Sequence, residues 1–292
     1  MSKIKHIPPS HIILSGGGMK FLSYVGALQE LEERGMLKNV KQFSCVSAGG
    51  LMAFIYTIGY TLEEIFNITK LLDFSTVQNI DEDILLNGFL NFGIDNGKNL
   101  EKFIESLLKH KGYNRELTFQ QLYNIKKVIL KFYAVDLNEG LLKEFSVNTT
   151  PNISILFALR ASMSIPGYFT PLQDPETNHY YVDGALLNNY PITLVDDKNV
   201  LGLAFDYTAR PIEKIECIQS YFYQLIVCLY DKLEQIPLQY KEKTIYIKCD
   251  ISIINFFLSR EERIEIMLSG RKAVIQYLEC SGTKIVRRNS II

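Results

Sequence analysis

Ser47 is the side chain best set out for nucleophilic chemistry. It stands in Cys45-Val46-Ser47-Ala48-Gly49-Gly50, between a strand-like run ending at Cys45 and an apolar helix from Leu51. This is the layout of a nucleophile elbow, a tight strand-to-helix turn that exposes a strained serine hydroxyl. Small neighbours suit it sterically, because the turn draws two backbones together and leaves no room for bulk. The helix start also offers unpaired backbone N–H groups to developing negative charge. The usual spacing is G-x-S-x-G, and here Cys45 replaces the first glycine. Cys45 lies on the strand side of the turn and is not read as a thiol nucleophile. By itself the stretch also fits a plain helix start.

A second stretch, Gly16-Gly17-Gly18, follows a strand-like run from His11 to Ser15 and precedes a helical pattern over Met19 to Gly35. Leu22, Val25, Leu28 and Leu31 share one face of that helix, and Gly35 is suited to end it. Strand, glycine loop and helix in this order suggest anion binding. A dinucleotide fingerprint needs glycine where Phe21 stands, and a P-loop needs Gly-Lys-Ser or Gly-Lys-Thr, which is absent. What remains is a loop whose amides stabilise an oxyanion, or a tight turn without a ligand. The loop alone weighs both equally.

The serine needs a base, and an ordinary hydrolase supplies a histidine late in the chain. Of the four histidines (His6, His11, His110 and His179) none lies beyond residue 179, and each reads as structural. Asp183 is the alternative. It closes the short strand Tyr180-Tyr181-Val182, and Gly184 lets the following turn aim its carboxylate. At its ordinary pKa of ~3.9 a carboxylate is a feeble base in neutral solution, and burial raises that value. On spacing alone, Asp183 is better described as a turn aspartate.

The elements that must carry these residues alternate between strand and helix. After the elbow come a helix from Thr61, a helix over Lys98 to His110 and a short one over Thr118 to Tyr123. Lys127 to Leu137 is the strongest strand, with a partner at Lys143 to Val147. A helix over Pro151 to Ser164, ended by Pro166-Gly167, leads to the Tyr180 strand and to another at Val200 to Phe205. Ile212 to Glu234, Lys243 to Lys248 and Arg260 to Leu278 read helix, strand, helix, and complete the sheet and its cover. Ile84 to Ile94 is apolar but broken by glycine and asparagine; it reads as core beneath a loop, with a lid or lipid-touching surface as the alternative. The alternation predicts an α/β layered sheet. With no linker, repeat or low-complexity run, one domain over 1–292 is expected.

At 47% hydrophobic and 22% charged residues, the composition is that of a folded globular chain and excludes wholesale disorder. A formal net charge of −1 gives no electrostatic case for nucleic acid. The five cysteines show no C-x-x-C spacing, so neither a zinc site nor a disulfide framework is expected and the compartment is read as reducing. Pro8-Pro9 interrupt the place of a signal peptide's apolar run, and no stretch approaches the ~18 apolar residues of a membrane span. The expected location is cytoplasmic, at most peripheral to a membrane. No oligomeric state follows from these features.

Four stretches occur in a specific order. They are Gly16-Gly17-Gly18-Met19-Lys20, Ser47-Ala48-Gly49-Gly50, Arg160 to Phe169 (RASMSIPGYF), and Asp183-Gly184-Ala185 with Asn189 and Pro191 behind it. In these the chain resembles the patatin-like phospholipase family, over roughly His11 to Leu203. The resemblance implies a three-layer α/β/α sandwich with a mainly parallel central sheet, and a Ser–Asp dyad in place of a triad. It carries Ser47 over as nucleophile, Asp183 as base, and the backbone amides of Gly16, Gly17 and Gly18 as the oxyanion hole. Lys20 is read as a solvated first-turn lysine, with head-group contact or loop support as its functional alternatives. The implied activity is hydrolysis of acyl esters of phospholipids or neutral lipids, with no cofactor and no metal. An esterase or acyltransferase of the same fold and an inactive lipid-binding or interaction protein are the alternatives. Cys45 and Phe21, which replace glycines of the family pattern, keep the last in view.

Overall fold

Strands in which every second residue is apolar build the centre of the molecule. The computed structural model describes residues 7–80, 92–196, 199–206 and 236–288, together with 215, 221, 224 and 225. Its strands are β1 (His11–Leu14), β2 (Gln42–Val46), β3 (Gly93–Asp95), β4 (Ile129–Asp136) and β5 (Leu141–Ser146), then β6 (Gly167–Phe169), β7 (Leu172–Gln173), β8 (Tyr180–Asp183), β9 (Val200–Phe205) and β10 (Thr244–Ile247). The helices are α1 (Leu22–Glu33), α2 (Ala48–Thr57), α3 (Leu62–Leu71), α4 (Lys98–His110) and α5 (Phe119–Lys126), then α6 (Ile155–Ser162), α7 (Ala185–Asn188), α8 (Leu238–Lys241) and α9 (Arg260–Arg288).

Strands β10, β9, β1, β2 and β4 run parallel in that order. Successive side chains point to opposite faces. Ile12, Leu14, Phe43, Cys45, Phe132, Leu201 and Leu203 therefore enter the main core with α1, α2, α6 and α9. Ile13 and Ala204 point the other way, against Tyr190 and Ile192. The result is a mostly parallel sheet flanked by helices, a three-layer α/β/α sandwich, as the family resemblance implies.

The register on β4 decides how the two halves of the site meet. Residues 131–136 of β4 pair along one edge with β5. On the opposite edge β2 pairs as far as Val46↔Tyr133, and β8 takes over at Ala134↔Asp183. Parallel β2 and antiparallel β8 thus run head-on and stop against each other at Tyr133–Ala134.

The last helix carries no motif, yet it is fastened tightly. Helix α9 crosses α1 at a pair of glycines. A Cβ added at Gly26 would lie 1.9 Å from the Met267 carbonyl oxygen, and one at Gly270 only 1.8 Å from the Ser23 oxygen. Backbones this close leave no room for any side chain.

Several boundaries differ from the sequence expectation for identifiable reasons. The first helix opens as a 3-10 turn, Gly18–Phe21, because Met19 N–H is drawn to the Ile253 carbonyl at 2.9 Å. The helix expected over Pro151 to Ser164 begins at Ile155, where Ser154 caps it through Phe157 N–H at 3.2 Å. Helix α2 starts directly after Ser47 and not at Leu51. The last helix extends to Arg288. Most of Ile84 to Ile94 and of Ile212 to Glu234 lies outside the described residues; of the former, Gly93 and Ile94 belong to β3, which pairs with β6. Among the described residues no helix is long and apolar enough to cross a membrane.

Replacing Gly270 by valine should cost about 1–3 kcal/mol of unfolding free energy, the usual penalty of overpacking. Urea denaturation of Gly270→Val against wild type measures it, and an unchanged midpoint would contradict the packing of α9 on α1.

Candidate active site

At the end of β2 the chain turns sharply at Ser47, whose φ is 53° and ψ −128°. A residue with a side chain is held there at a cost of order 1–3 kcal/mol, so the surrounding contacts must enforce it. One contact is the approach of α2 to β1: a Cβ at Gly49 would meet the Ser15 carbonyl oxygen at 2.6 Å. Cys45 is fully buried in the main core beneath the turn. Burial pushes its thiol well above the ordinary cysteine range, so it stays protonated and unreactive. The elbow therefore retains its shape with cysteine in place of glycine.

Strand β8 delivers Asp183 to the same spot. Ser47 Oγ donates to Asp183 Oδ2 at 2.5 Å, the short end of the range for a hydroxyl facing a carboxylate. Asp183 Oδ1 accepts the Ala185 N–H at 2.9 Å. Both side chains are nearly sealed, at 5% exposure for Ser47 and 2% for Asp183. Burial raises the Asp183 carboxyl to about 7, against the opposing pull of the hydrogen bonds from Ser47 and Ala185. A base with that value is matched to neutral pH.

The described histidines are engaged elsewhere. His11 bonds Ser44 Oγ at 2.9 Å, His110 bonds the Tyr60 hydroxyl at 3.0 Å, and His179 pairs with Asp136 at 2.8 Å. His6 lies outside the described residues.

The glycine loop passes beside Ser47, with Gly16 close enough that an added Cβ would sit 3.2 Å from Ser47 Cβ. Here one expectation needs correcting. The Gly16 N–H donates to the Asn189 carbonyl at 3.1 Å, so it is not available to an oxyanion. Gly17 and Gly18 are the remaining amides of the three. Gly18 has φ +49°, and a Cβ there would lie 2.1 Å from the Ile253 carbonyl oxygen, so only glycine fits. Lys20 also departs from expectation, because it is buried at 6% exposure and not solvated. Its ammonium lies 5.9 Å from the Phe205 ring centroid, and burial lowers its pKa against the opposing charges of Cys249, Asp250 and Asp206. That position is beneath the loop, consistent with loop support. Phe21 packs edge-on against Phe74.

From Ser47 extends an almost wholly apolar cleft that is open to solvent. Gly18 and Ala48 flank the serine, and Phe21, Leu51, Phe74, Leu100, Phe103 and Phe256 form the walls. Phe74, Leu100, Phe103 and Phe256 come from segments without any motif, and sequence reasoning missed them. For Leu100 and Phe103 the one sequence signal is the apolar face of the helix over Lys98 to His110; Phe74 and Phe256 have none.

The sequence model of the patatin-like phospholipase family matches residues 12–196. The chain belongs to that family. Protein R571 of Acanthamoeba polyphaga mimivirus is 30% identical over 290 residues, covering 94% of this chain and 96% of its own. A probable lipid hydrolase, 463L, of invertebrate iridescent virus 6 is 31% identical over 185 residues, covering 63% of this chain and 62% of the relative. VipD from Legionella pneumophila superposes with a TM-score of 0.61 at 21% identity, covering 94% of this chain and 67% of that one. At such identity the superposition speaks for the fold alone. The patatin-like match spans all four stretches singled out in the sequence, from Gly16 to Pro191.

The raised Asp183 value has a consequence for stability. Between ~4 and about 7 the folded state binds a proton at Asp183 that the unfolded chain has released, so this group's contribution falls as pH rises through that window. Asp183→Asn, which is neutral throughout, should therefore be more stable than wild type at pH 8, by on the order of 1–3 kcal/mol. The advantage should shrink at pH 5. Thermal unfolding of both proteins at the two pH values checks the sign.

Proposed function

We propose that this protein is a serine-dependent lipid acyl hydrolase that works through a Ser47–Asp183 dyad and an acyl-enzyme. One observation carries the reading: a serine on an elbow, 2.5 Å from a buried carboxylate, at the polar end of an apolar cleft. Family membership and the iridescent virus relative described as a probable lipid hydrolase support the same class of reaction.

In the first half-reaction Asp183 takes the Ser47 proton as Oγ attacks the ester carbonyl. The Gly17 and Gly18 amides receive the oxyanion, each such donor contributing about 3–4 kcal/mol of transition-state stabilisation. Asp183 returns the proton to the departing alcohol or lysolipid oxygen. Water, deprotonated by Asp183, then attacks the acyl-enzyme, and the fatty acid leaves with Ser47 reprotonated. Throughout, the acyl chain lies in the cleft, whose aromatic and aliphatic walls offer no polar partner and favour long hydrocarbon over short. The leaving group, whether a phospholipid or a neutral acylglycerol remnant, projects towards solvent, and peripheral contact with a membrane would supply the substrate.

A fluorophosphonate should add once to wild type, as read by intact mass, and not at all to Ser47→Ala. In Asp183→Asn the labelling rate should fall at least about a hundredfold, the usual worth of a positioned base. Absence of any adduct on folded wild type would reject the hydrolase reading in favour of an inactive lipid binder. Hydrolysis of soluble aryl esters should rise with pH to a plateau, with an apparent pKa near the about 7 of Asp183. Catalytic efficiency should also climb with acyl length; a preference for acetyl esters would point instead to a small-substrate esterase.

A further inference from the structure

A hydroxyl outside the dyad stands at the point where β2 leaves the sheet. The ladder on that edge of β4 breaks between Tyr133 and Ala134. A strand that continued in parallel would bond β4 directly through its next N–H. Ser162 Oγ occupies the gap instead. It accepts the Ser47 N–H at 2.9 Å and donates its proton to the Tyr133 carbonyl at 2.6 Å. Ser162 is fully buried, and a hydroxyl has one proton to give, so the two bonds fix its orientation.

The same segment also holds the base. The Ser164 carbonyl accepts the Asp183 N–H at 2.9 Å. Buried Arg160 anchors this segment, donating to Ser164 Oγ at 2.6 Å and to the Asn96 and Thr170 carbonyls at 3.1 Å each. The end of α6 and the two residues beyond it therefore grip both dyad members by their backbones.

We propose that Ser162 is a positioning residue, a wedge that spaces Ser47 from β4 and keeps its Oγ on Asp183. The inference rests on the Ser–Asp reading above. Without the hydroxyl, the Ser47 N–H is a buried donor with no partner, and its cheapest remedy is to settle towards the Tyr133 carbonyl. That movement relaxes the strained φ and draws Oγ away from the carboxylate. Ser162 does not line the cleft, so it acts through Ser47 and not on the acyl chain. Chemistry and binding should therefore separate on its removal.

The experiment compares wild type, Ser162→Ala, Ser162→Cys and Leu122→Ala, the last a core truncation on α5 outside the cleft lining. Fluorophosphonate labelling rate, kcat and KM on a soluble aryl ester, melting temperature and the downfield proton resonance of the Ser47–Asp183 hydrogen bond are measured. In Ser162→Ala we expect kcat and labelling rate to fall by about 10- to 100-fold per folded molecule, the effect of a nucleophile displaced by ~1 Å. KM should stay unchanged and the downfield resonance should disappear. Leu122→Ala should melt earlier yet label at the wild-type rate. Labelling of Ser162→Ala at the wild-type rate, or a loss confined to KM, overturns the proposal. Should the alanine variant not fold, Ser162→Cys decides on the same criteria, since its sulfur nearly preserves volume but is a poor acceptor and donor. Wild type that takes no label at all defeats the dyad reading, and this is seen before any variant is compared.

Discussion

The hydrogen bond from Ser47 to Asp183 is the contact on which the rest of the arrangement depends, and it is a product of strand register. Two strands share one edge of β4, arriving from opposite directions and stopping at adjacent residues. Neither strand can continue, so each chain must leave the sheet at once, one through Ser47 and the other through Gly184. A slip of one residue in either pairing would send the side chain to the other face of the sheet. The Ser47–Asp183 contact is thus as secure as the ladder that produces it. That ladder is held by Phe132, Ala134 and Phe145 in the main core.

Burial does the remaining chemical work. A carboxylate in water is too weak a base for serine at neutral pH, and a histidine would ordinarily mediate. Here the carboxyl is sealed among β4, β8 and α7, and desolvation alone raises it towards neutrality. Such a group destabilises the folded protein whenever it is ionised, so the raised carboxyl comes at a cost in stability. The apolar cleft fits that setting, because its walls beside Ser47 are as poor in polar groups as the surroundings that raise the carboxyl.

Much of this was legible in the chain. The glycine run, the elbow, the Arg160 to Phe169 stretch and the Asp-Gly turn are local patterns whose chemistry follows from residue type and order. The lack of any histidine beyond residue 179 argued against the usual triad order before any geometry was known. The fold class followed as well, since period-two and period-3.6 patterns alternate along the chain. Less legible were Lys20, whose burial depends on Phe205 and the residues after β10, and the Gly16 amide, whose partner Asn189 is 173 positions away in sequence. The cleft walls were invisible too, because Phe74, Phe103 and Phe256 look like any core residues until their neighbours are known.

By itself, then, the sequence determined which residues are candidates for chemistry and which kind of layered fold presents them, for these depend on side-chain type and short-range spacing. Only the tertiary structure decided that the Gly16 amide is already engaged, which hydroxyl fills the break in the ladder, and how far the carboxyl is raised. Those outcomes depend on the exclusion of water and on contacts between residues more than a hundred positions apart, such as Ser47 with Ser162 and with Asp183. Local pattern records what a residue can do, whereas burial and register, fixed only when the whole chain packs, decide whether it does so.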